Sequence, residues 1–255
     1  MILALLVAAV LPVKGHVQVE LRSFAAAIEV LAGEDGRVTV SVTDQPGLRV
    51  KLLQAGDRVV AEFDGRHQLR EGKVRVEVPR GSALDLSTVS GPVLVRSTGG
   101  EVRVRGMSGP VIVQDAARVD VETIDGAVHI EGTPGPLRVH TISGGVGIVG
   151  ATPALQVEIE TSSGEVDVRG ACGRGCRLDI DGVASAIKLA LDAASTFSLR
   201  FVSHSGQLRD GLHLGVRRAK GDEGEWIEAV QGQDPQGAIE CETFSGDLIV
   251  SALQR

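Results

Sequence analysis

The sequence predicts an all-β protein: a β-solenoid, or β-helix-like stack, whose coils of about 18 residues hold two strand segments each. Three observations carry this reading. A phrase of a small polar residue, Gly, any residue and an aliphatic returns as Ser90-Gly91-Pro92-Val93, Ser108-Gly109-Pro110-Val111, Asp125-Gly126-Ala127-Val128, Ser143-Gly144-Gly145-Val146, Ser163-Gly164-Glu165-Val166, Ser205-Gly206-Gln207-Leu208 and Ser245-Gly246-Asp247-Leu248. Its first steps are 18, 17, 18 and 20 residues. Between phrases, apolar and polar residues alternate, as in Val93 and Val95, Val102 and Val104, Val119 and Val121, Leu137 and Val139, and Val166 and Val168. That alternation marks strands with one buried face. The chain also has 33 Gly, five Phe, one Trp and no Tyr. Its core is therefore predicted to be a thin aliphatic layer of Val, Ile, Leu and Ala, since a thick core usually needs aromatic volume.

The elements follow in order. Ile2 to Leu11 is continuously apolar. It is too short for a bilayer crossing, which takes about 20 residues. It suits the h-region of a secretory signal spanning residues 1–15, with Val13 and Gly15 as the small residues before a cut at His16. No Lys or Arg precedes the run, so a buried first strand is the alternative. Residues 16–80 carry strand alternation (Val38 and Val40, Leu48 and Val50, Val74 and Val76) without the Gly phrase. They are predicted to be an irregular cap, because the end of a stack needs protection from edge-to-edge pairing. Residues 81–255 form the regular solenoid. Within it, Ile180-Asp181-Gly182-Val183-Ala184-Ser185 is a degenerate copy in which Ser185 takes the place of the Gly. A charged stretch from Arg217 to Glu228, in a loop near 209–237, is predicted to leave the rod as an extended loop or hairpin. Glu223-Gly224-Glu225-Trp226 reads there as a further, poorer copy.

Gly91, Gly109, Gly126, Gly144, Gly164, Gly206 and Gly246 are the predicted structural turns. A Gly in every copy suggests a backbone position of positive φ, with the preceding Ser or Asp bonding back onto the turn. Thr88, Thr123, Thr141, Thr161 and Thr243, each three residues before a turn Gly, are predicted to stack as a ladder of like residues. The phrase Thr243-Phe244-Ser245-Gly246-Asp247-Leu248 resembles the bacterial "putative adhesin" family of β-strand repeats, whose hallmark is Thr-x-Ser-Gly-Asp-hydrophobic. The resemblance covers residues 80 to 250 or so and implies an exported, β-helix-like protein of the cell envelope. Most copies here have Pro, Ala, Gly, Glu or Gln in place of the Asp after Gly.

Charge and motifs narrow the function. The net charge is -7, which argues against nucleic acid and against an anionic membrane surface, since both call for a basic footprint. No later stretch is apolar enough to anchor the mature chain in a membrane. Cys172 and Cys176 lie four apart in a Gly-rich loop and are predicted to form a structural disulfide; no partner pair completes a zinc site. Cys241 takes the inward position held by Val121 and Ile159 and reads as a buried free thiol. Glu122, His140 and Glu160 share one outward repeat position, and Glu242 shares it in the last copy. This ladder is the candidate binding site, either as a ligand-presenting column or as a solvated face of alternating charge. No cofactor, metal or catalytic group is predicted. The leading expectation is a non-catalytic envelope or surface protein, periplasmic or extracellular, that binds a protein or glycan through repeated ladders. The alternatives are a scaffold that self-assembles through its terminal coils and a glycan-active β-helix enzyme. Carboxylates at Asp120, Glu122, Asp125, Asp179 and Asp181 are available to such an enzyme, all at outward or turn positions.

Overall fold

Every regular element among the described residues is a β-strand. The computed structural model describes residues 7–43, 48–64, 72–150, 152–221 and 224–253. The chain divides into two units, Met1–Ala127 and Val128–Arg255.

The first unit holds β1 (Val7–Pro12), β2 (Gln18–Ser23), β3 (Ala27–Ala32), β4 (Arg37–Thr43), β5 (Arg49–Ala55), β6 (Arg58–Asp64), β7 (Lys73–Val78), β8 (Ala83–Thr88), β9 (Val93–Arg96), β10 (Glu101–Arg105), β11 (Val111–Gln114) and β12 (Arg118–Thr123). Parallel pairing follows the repeat: Leu84 lies beside Val102, Val102 beside Val119, and Val93 beside Val111. The alternating valines all point inward and are buried. On the other side, β2 pairs with β8 (Val19 beside Leu84) and β3 with β9 (Ile28 beside Val93). β6 and β7 then pair in parallel with β2 and β3. Antiparallel strands cover them: β5 on β6, β4 on β7, and β1 on β4.

Residues 16–80 are therefore more regular than their sequence suggests. Ser23-Phe24-Ala25-Ala26-Ala27-Ile28 is an unrecognised copy of the phrase, with Ala26 where later copies have Gly. Of the apolar leader, residues 1–6 lie outside the described residues. Val7–Pro12 form β1, an exposed strand rather than a buried one: Val10 is 59% exposed, and among the described residues β1 pairs with β4 alone.

The second unit holds β13 (Val128–Glu131), β14 (Leu137–Thr141), β15 (Val146–Val149), β16 (Gln156–Gly170), β17 (Arg177–Leu191), β18 (Phe197–Ser203), β19 (Leu208–Asp210), β20 (Gly215–Gly221), β21 (Gly224–Gln231), β22 (Gly237–Thr243) and β23 (Leu248–Ala252). Parallel pairing runs from β14 to β16 to β17 on one side, and from β13 to β15 to the second half of β16 and of β17 on the other. The chain then departs from sequence order. β17 pairs not with β18 but with β22 and β23, and β18 and β19 pair with the far edges of β22 and β23. The last repeat in sequence is thus inserted between its two predecessors.

The charged stretch near 209–237 contains a hairpin, one of the two expected forms, and the correction concerns where it goes. It folds as the hairpin β20–β21, with β21 antiparallel on β18, so it extends the sheet instead of leaving it. Glu223 of the poorer copy lies outside the described residues. Among the described residues the core is aliphatic apart from the three cysteines and two aromatic side chains, Phe197 and Phe201 of β18, both fully buried. They fill the layer where its opposite wall, β19, is only three residues long. Cys172 and Cys176 are disulfide-bonded, with Cα atoms 5.3 Å apart, and Cys241 is a free, fully buried thiol. Among the described residues no helix is long and apolar enough to cross a membrane.

The seven turn glycines require a second correction. Only Gly164 has positive φ, +127°. Gly91, Gly109, Gly126, Gly206 and Gly246 are glycine because adjacent repeats approach backbone to backbone: a Cβ on Gly109 would overlap the carbonyl oxygen of Gly91, and one on Gly246 that of Ser185. Left-handed backbone belongs to the opposite corner of the repeat, at Ser97, Asp115 and Gly132. The Ser hydroxyl of the phrase reaches a neighbouring repeat at three copies, Ser163 donating to Ile142 O, Ser205 to Phe244 O and Ser245 to Val183 O. The buried Thr bonds back onto its own turn, its hydroxyl accepting from the turn glycine's N–H: Gly91 to Thr88 (3.0 Å), Gly126 to Thr123 (3.2 Å), Gly144 to Thr141 (3.1 Å) and Gly246 to Thr243 (3.0 Å).

Candidate functional site

Strand alternation sends every second residue of β14, β16, β17 and β22 outward, and the parallel register lines these residues up in rows. One row is Arg138, Glu158, Asp179, Glu240 and, on β18, Arg200. It is largely self-compensating. Arg138 Nη2 donates to Glu158 at 2.6 Å, Arg200 to Glu240 at 2.5 Å, and Arg177 to Asp179 at 3.4 Å. The hairpin continues the row with Glu228 and Arg217, which are ion-paired; Glu228 also accepts from Trp226 Nε1 at 2.9 Å. The Arg200 guanidinium lies 5.0 Å from the Trp226 ring centroid, a cation–π contact.

The neighbouring row, two residues further along each strand, is His140, Glu160, Asp181 and Glu242, all exposed. It contains three of the four predicted ladder residues, and Asp181 fills the place that sequence spacing left open between Glu160 and Glu242. The repeat phrase identified Asp181 as an outward carboxylate. Only the inserted order of β22 puts it between the two glutamates. The His140 imidazole N–H donates to Glu160 Oε2 at 2.9 Å. Among the described residues, neither Asp181 nor Glu242 has an ion-pair partner. Partial burial, then the neighbouring Asp179, Glu242, Glu160 and Glu240, hold the Asp181 carboxyl above the ordinary aspartate range. The row thus carries surplus negative charge, and the strand beyond it supplies Val202 rather than a base.

Glu122, the fourth ladder residue, lies exposed on β12 in the first unit, 3.7 Å from Arg105 Nε; Arg105 also donates to Asp85 at 3.2 Å. It therefore sits in a compensated pair. His129, a second outward histidine, aligns with Gly147 and then Asp167, whose charge is taken by Arg169 at 2.6 Å.

Two residues beyond the acidic row the chain turns the corner, and the side chain there faces solvent. Ile142 is 47% exposed, Val183 54% and Phe244 60%, with the His204 ring stacked on Phe244 at 4.9 Å. Between row and corner lies an open depression of about 450 Å³, lined by His140, Glu160, Asp181, Glu242 and Val183. The turn glycines Gly144, Gly164, Gly206 and Gly246 stand just past this corner and set its sharpness. The first unit has a wider groove of about 600 Å³ beside Glu20, Phe24, Val60 and Phe63. Its Glu20 is engaged by Arg22 at 2.8 Å and by Arg58, which chiefly lowers its carboxyl pKa. Among the described residues no group of three or more His, Cys, Asp or Glu side chains is arranged to hold a metal ion.

No family model and no curated protein matches the chain. The solved structures it is similar to include the following bacterial proteins. A protein described as a "putative cell adhesion protein" from Clostridium sporogenes is 10% identical over 96% of this chain and 98% of that one, with a TM-score of 0.32. A "putative adhesin" from Parabacteroides distasonis is 12% identical over 96% of each chain, with a TM-score of 0.39. A "putative lipid binding protein" from the same organism is also 12% identical over 96% of each chain, with a TM-score of 0.44.

Proposed function

We propose that the chain is an exported β-solenoid of the cell envelope that acts by binding, without catalysis, through the outer face of its second unit. The solenoid reading is supported by the register, in which parallel partners stand one repeat apart at Val93 and Val111, Val128 and Val146, and Val157 and Leu178. The single observation that carries the binding reading is the in-register row His140, Glu160, Asp181 and Glu242. Two of its carboxylates have no ion-pair partner among the described residues, and the row lies on an open, flat sheet. An open face of aligned side chains suits many weak contacts along an extended ligand better than enclosure of one small molecule. Export is supported by the apolar leader and by the position of β1: removing residues 1–15 takes away one exposed edge strand and leaves β4 paired with β7. End-to-end self-assembly is the weaker reading, because the outermost strand of the hairpin, β20, carries Arg217, Arg218 and Lys220, charges that discourage edge pairing.

Retention on native envelope extract tests the binding reading. Protein lacking residues 1–15 is immobilised beside a triple variant, Glu160→Gln, Asp181→Asn and Glu242→Gln. Wild type should retain an envelope component that the variant does not. Equal retention by both, or none by either, overturns the reading. Location is tested separately by protease digestion of intact and of envelope-permeabilised cells. Protection that ends only on full lysis overturns export.

A further inference from the structure

Eleven large apolar side chains are exposed among the described residues, and six of them occupy one position of the repeat: Phe24, Met107 and Ile124 in the first unit, and Ile142, Val183 and Phe244 in the second. Scattered exposed hydrophobics need no explanation, but a line of them does. The position is fixed by the fold. It lies two residues before the tight corner, after the position held by Thr at Ile124, Ile142 and Phe244, by Ser23 at Phe24 and by Gly at Met107 and Val183, and in all six its side chain faces solvent. Nothing in this geometry requires it to be apolar, since Ser162 and His204 fill it in two repeats.

In the second unit the ridge runs from Ile142 past Ser162 to Val183 and Phe244, one residue for each of the paired strands β14, β16, β17 and β22. Strands in a sheet are about 4.8 Å apart, so the ridge spans roughly 14 Å with a step of about 4.8 Å. Beside it, at the same step, runs the acidic row Glu160, Asp181 and Glu242. In the first unit the residues flanking the ridge are Arg22, Ser87, Arg105 and Glu122, of mixed charge. The charged partner surface is thus specific to the second unit.

Resting on the binding reading above, we propose that this ridge and row form a docking surface for a basic amphipathic helix of another polypeptide. The occupant is fixed by two complementarities. Its charge must be positive, because Asp181 and Glu242 lack cationic partners among the described residues and lie within reach of whatever covers the ridge. Its repeat must match the surface. A helix laid along the stacking direction advances about 4.5 Å in three residues and 6 Å in four, bracketing the 4.8 Å step. An extended strand presents same-face residues about 6.8 Å apart and falls out of step. About ten helical residues cover Ile142 to Phe244, with apolar side chains on the ridge and Lys or Arg over the row. A second copy of this chain fits poorly, since ridge-to-ridge packing would oppose two acidic rows, and an anionic bilayer is repelled by the same charges.

The test uses a fluorescent 14-residue Leu/Lys peptide with Leu at i, i+3, i+4 and i+7, a scrambled peptide of equal composition, and a Leu/Glu peptide of the first pattern. Binding to the protein is followed by anisotropy. The patterned Leu/Lys peptide should bind at least tenfold more tightly than either control. The Asp181→Asn, Glu242→Gln variant should lose about tenfold at low salt, and that loss should shrink as screening increases. Val183→Ser, Phe244→Ser should lose about tenfold at every salt concentration. Equal binding of scrambled and patterned peptides, or indifference to both variants, overturns the proposal. So does concentration-dependent dimerisation abolished by Phe244→Ser, which would assign the ridge to a second copy. If envelope retention depends on the carboxylates while the patterned peptide fails to bind, the binding reading stands and the helix proposal falls. If retention itself fails, both fall.

Discussion

The Gly of the repeated phrase is conformationally ordinary at six of its seven copies, and at Gly91, Gly109, Gly126, Gly206 and Gly246 it is sterically constrained by a neighbouring backbone. At Gly246 the constraint is the carbonyl oxygen of Ser185; at Gly145, in the same type of turn, the nearest atom to a built Cβ is Glu165 O at 3.7 Å. Gly246→Ala should therefore cost about 1–3 kcal/mol through overpacking, and Gly145→Ala should be near neutral, as read by urea or thermal melts. The degenerate copy tests the same logic in reverse. Gly182 stands where other repeats have Thr, and Ser185 where they have Gly. Among the described residues the fully buried Ser185 hydroxyl has no hydrogen-bond partner, and a Cβ on Gly182 would sit 2.9 Å from Ser185 Cβ. The two residues have exchanged roles within one turn. Gly182→Thr alone should destabilise. Combined with Ser185→Gly it should restore the Thr-to-Gly hydrogen bond, giving a favourable coupling of about 1 kcal/mol or more in a double-mutant cycle.

At the scale of elements, rows of side chains across paired strands set the surface energetics. Asp181 faces Glu160 on one strand and Glu242 on the other. Because its carboxyl pKa is raised in the folded state, the native protein holds that proton to higher pH than the unfolded chain does. Stability from this group therefore falls as pH rises from the ordinary carboxylate value through the raised one, and the deficit is complete above it. Asp181→Asn should gain about 0.5 kcal/mol at pH 7, a gain that disappears in melts below about pH 3.5. The Cys172–Cys176 bridge acts between elements too. It closes the turn before β17 and packs where a Cβ on Gly237, at the start of β22, would meet Cys172 Sγ at 2.6 Å. The Cys172→Ala, Cys176→Ala pair should lower stability by about 2 kcal/mol, the value for closing so short a loop. Cys241 should stay unreactive to thiol reagents until the protein unfolds, since burial pushes its thiol pKa well up.

Across the whole chain, the order of pairing differs from the order of sequence. β22 joins β17 across Ile180 and Cys241, and β18 across Phe201 and Cys241. The repeat that closes the second unit is therefore the last one in the chain. Deleting residues 237–255 should detach residues 197–231 while leaving 128–191 folded. Limited proteolysis would show this as early cleavage between Leu191 and Phe197. Simple sequential stacking would instead leave 197–231 protected. The first unit has a related arrangement, with β2 and β3 beside β8 and β9, and β4 to β7 on their outer side.

The sequence by itself determined the strand class, the inward and outward faces, the register between neighbouring repeats, the disulfide and the buried thiol. These follow from period-two patterning and short-range spacing, which depend on a residue and its own repeat. The same patterning put Glu122, His140, Glu160 and Glu242 at one outward repeat position. Only the tertiary structure decided which repeat stacks on which, because every strand of the same alternation is an equally good parallel partner for any other. That choice brought Asp181 between two glutamates and aligned Val183 with Phe244. It also decided why the turn is glycine: the sequence displays an invariant small residue, and whether φ or a neighbour's carbonyl demands it depends on an atom supplied by another repeat.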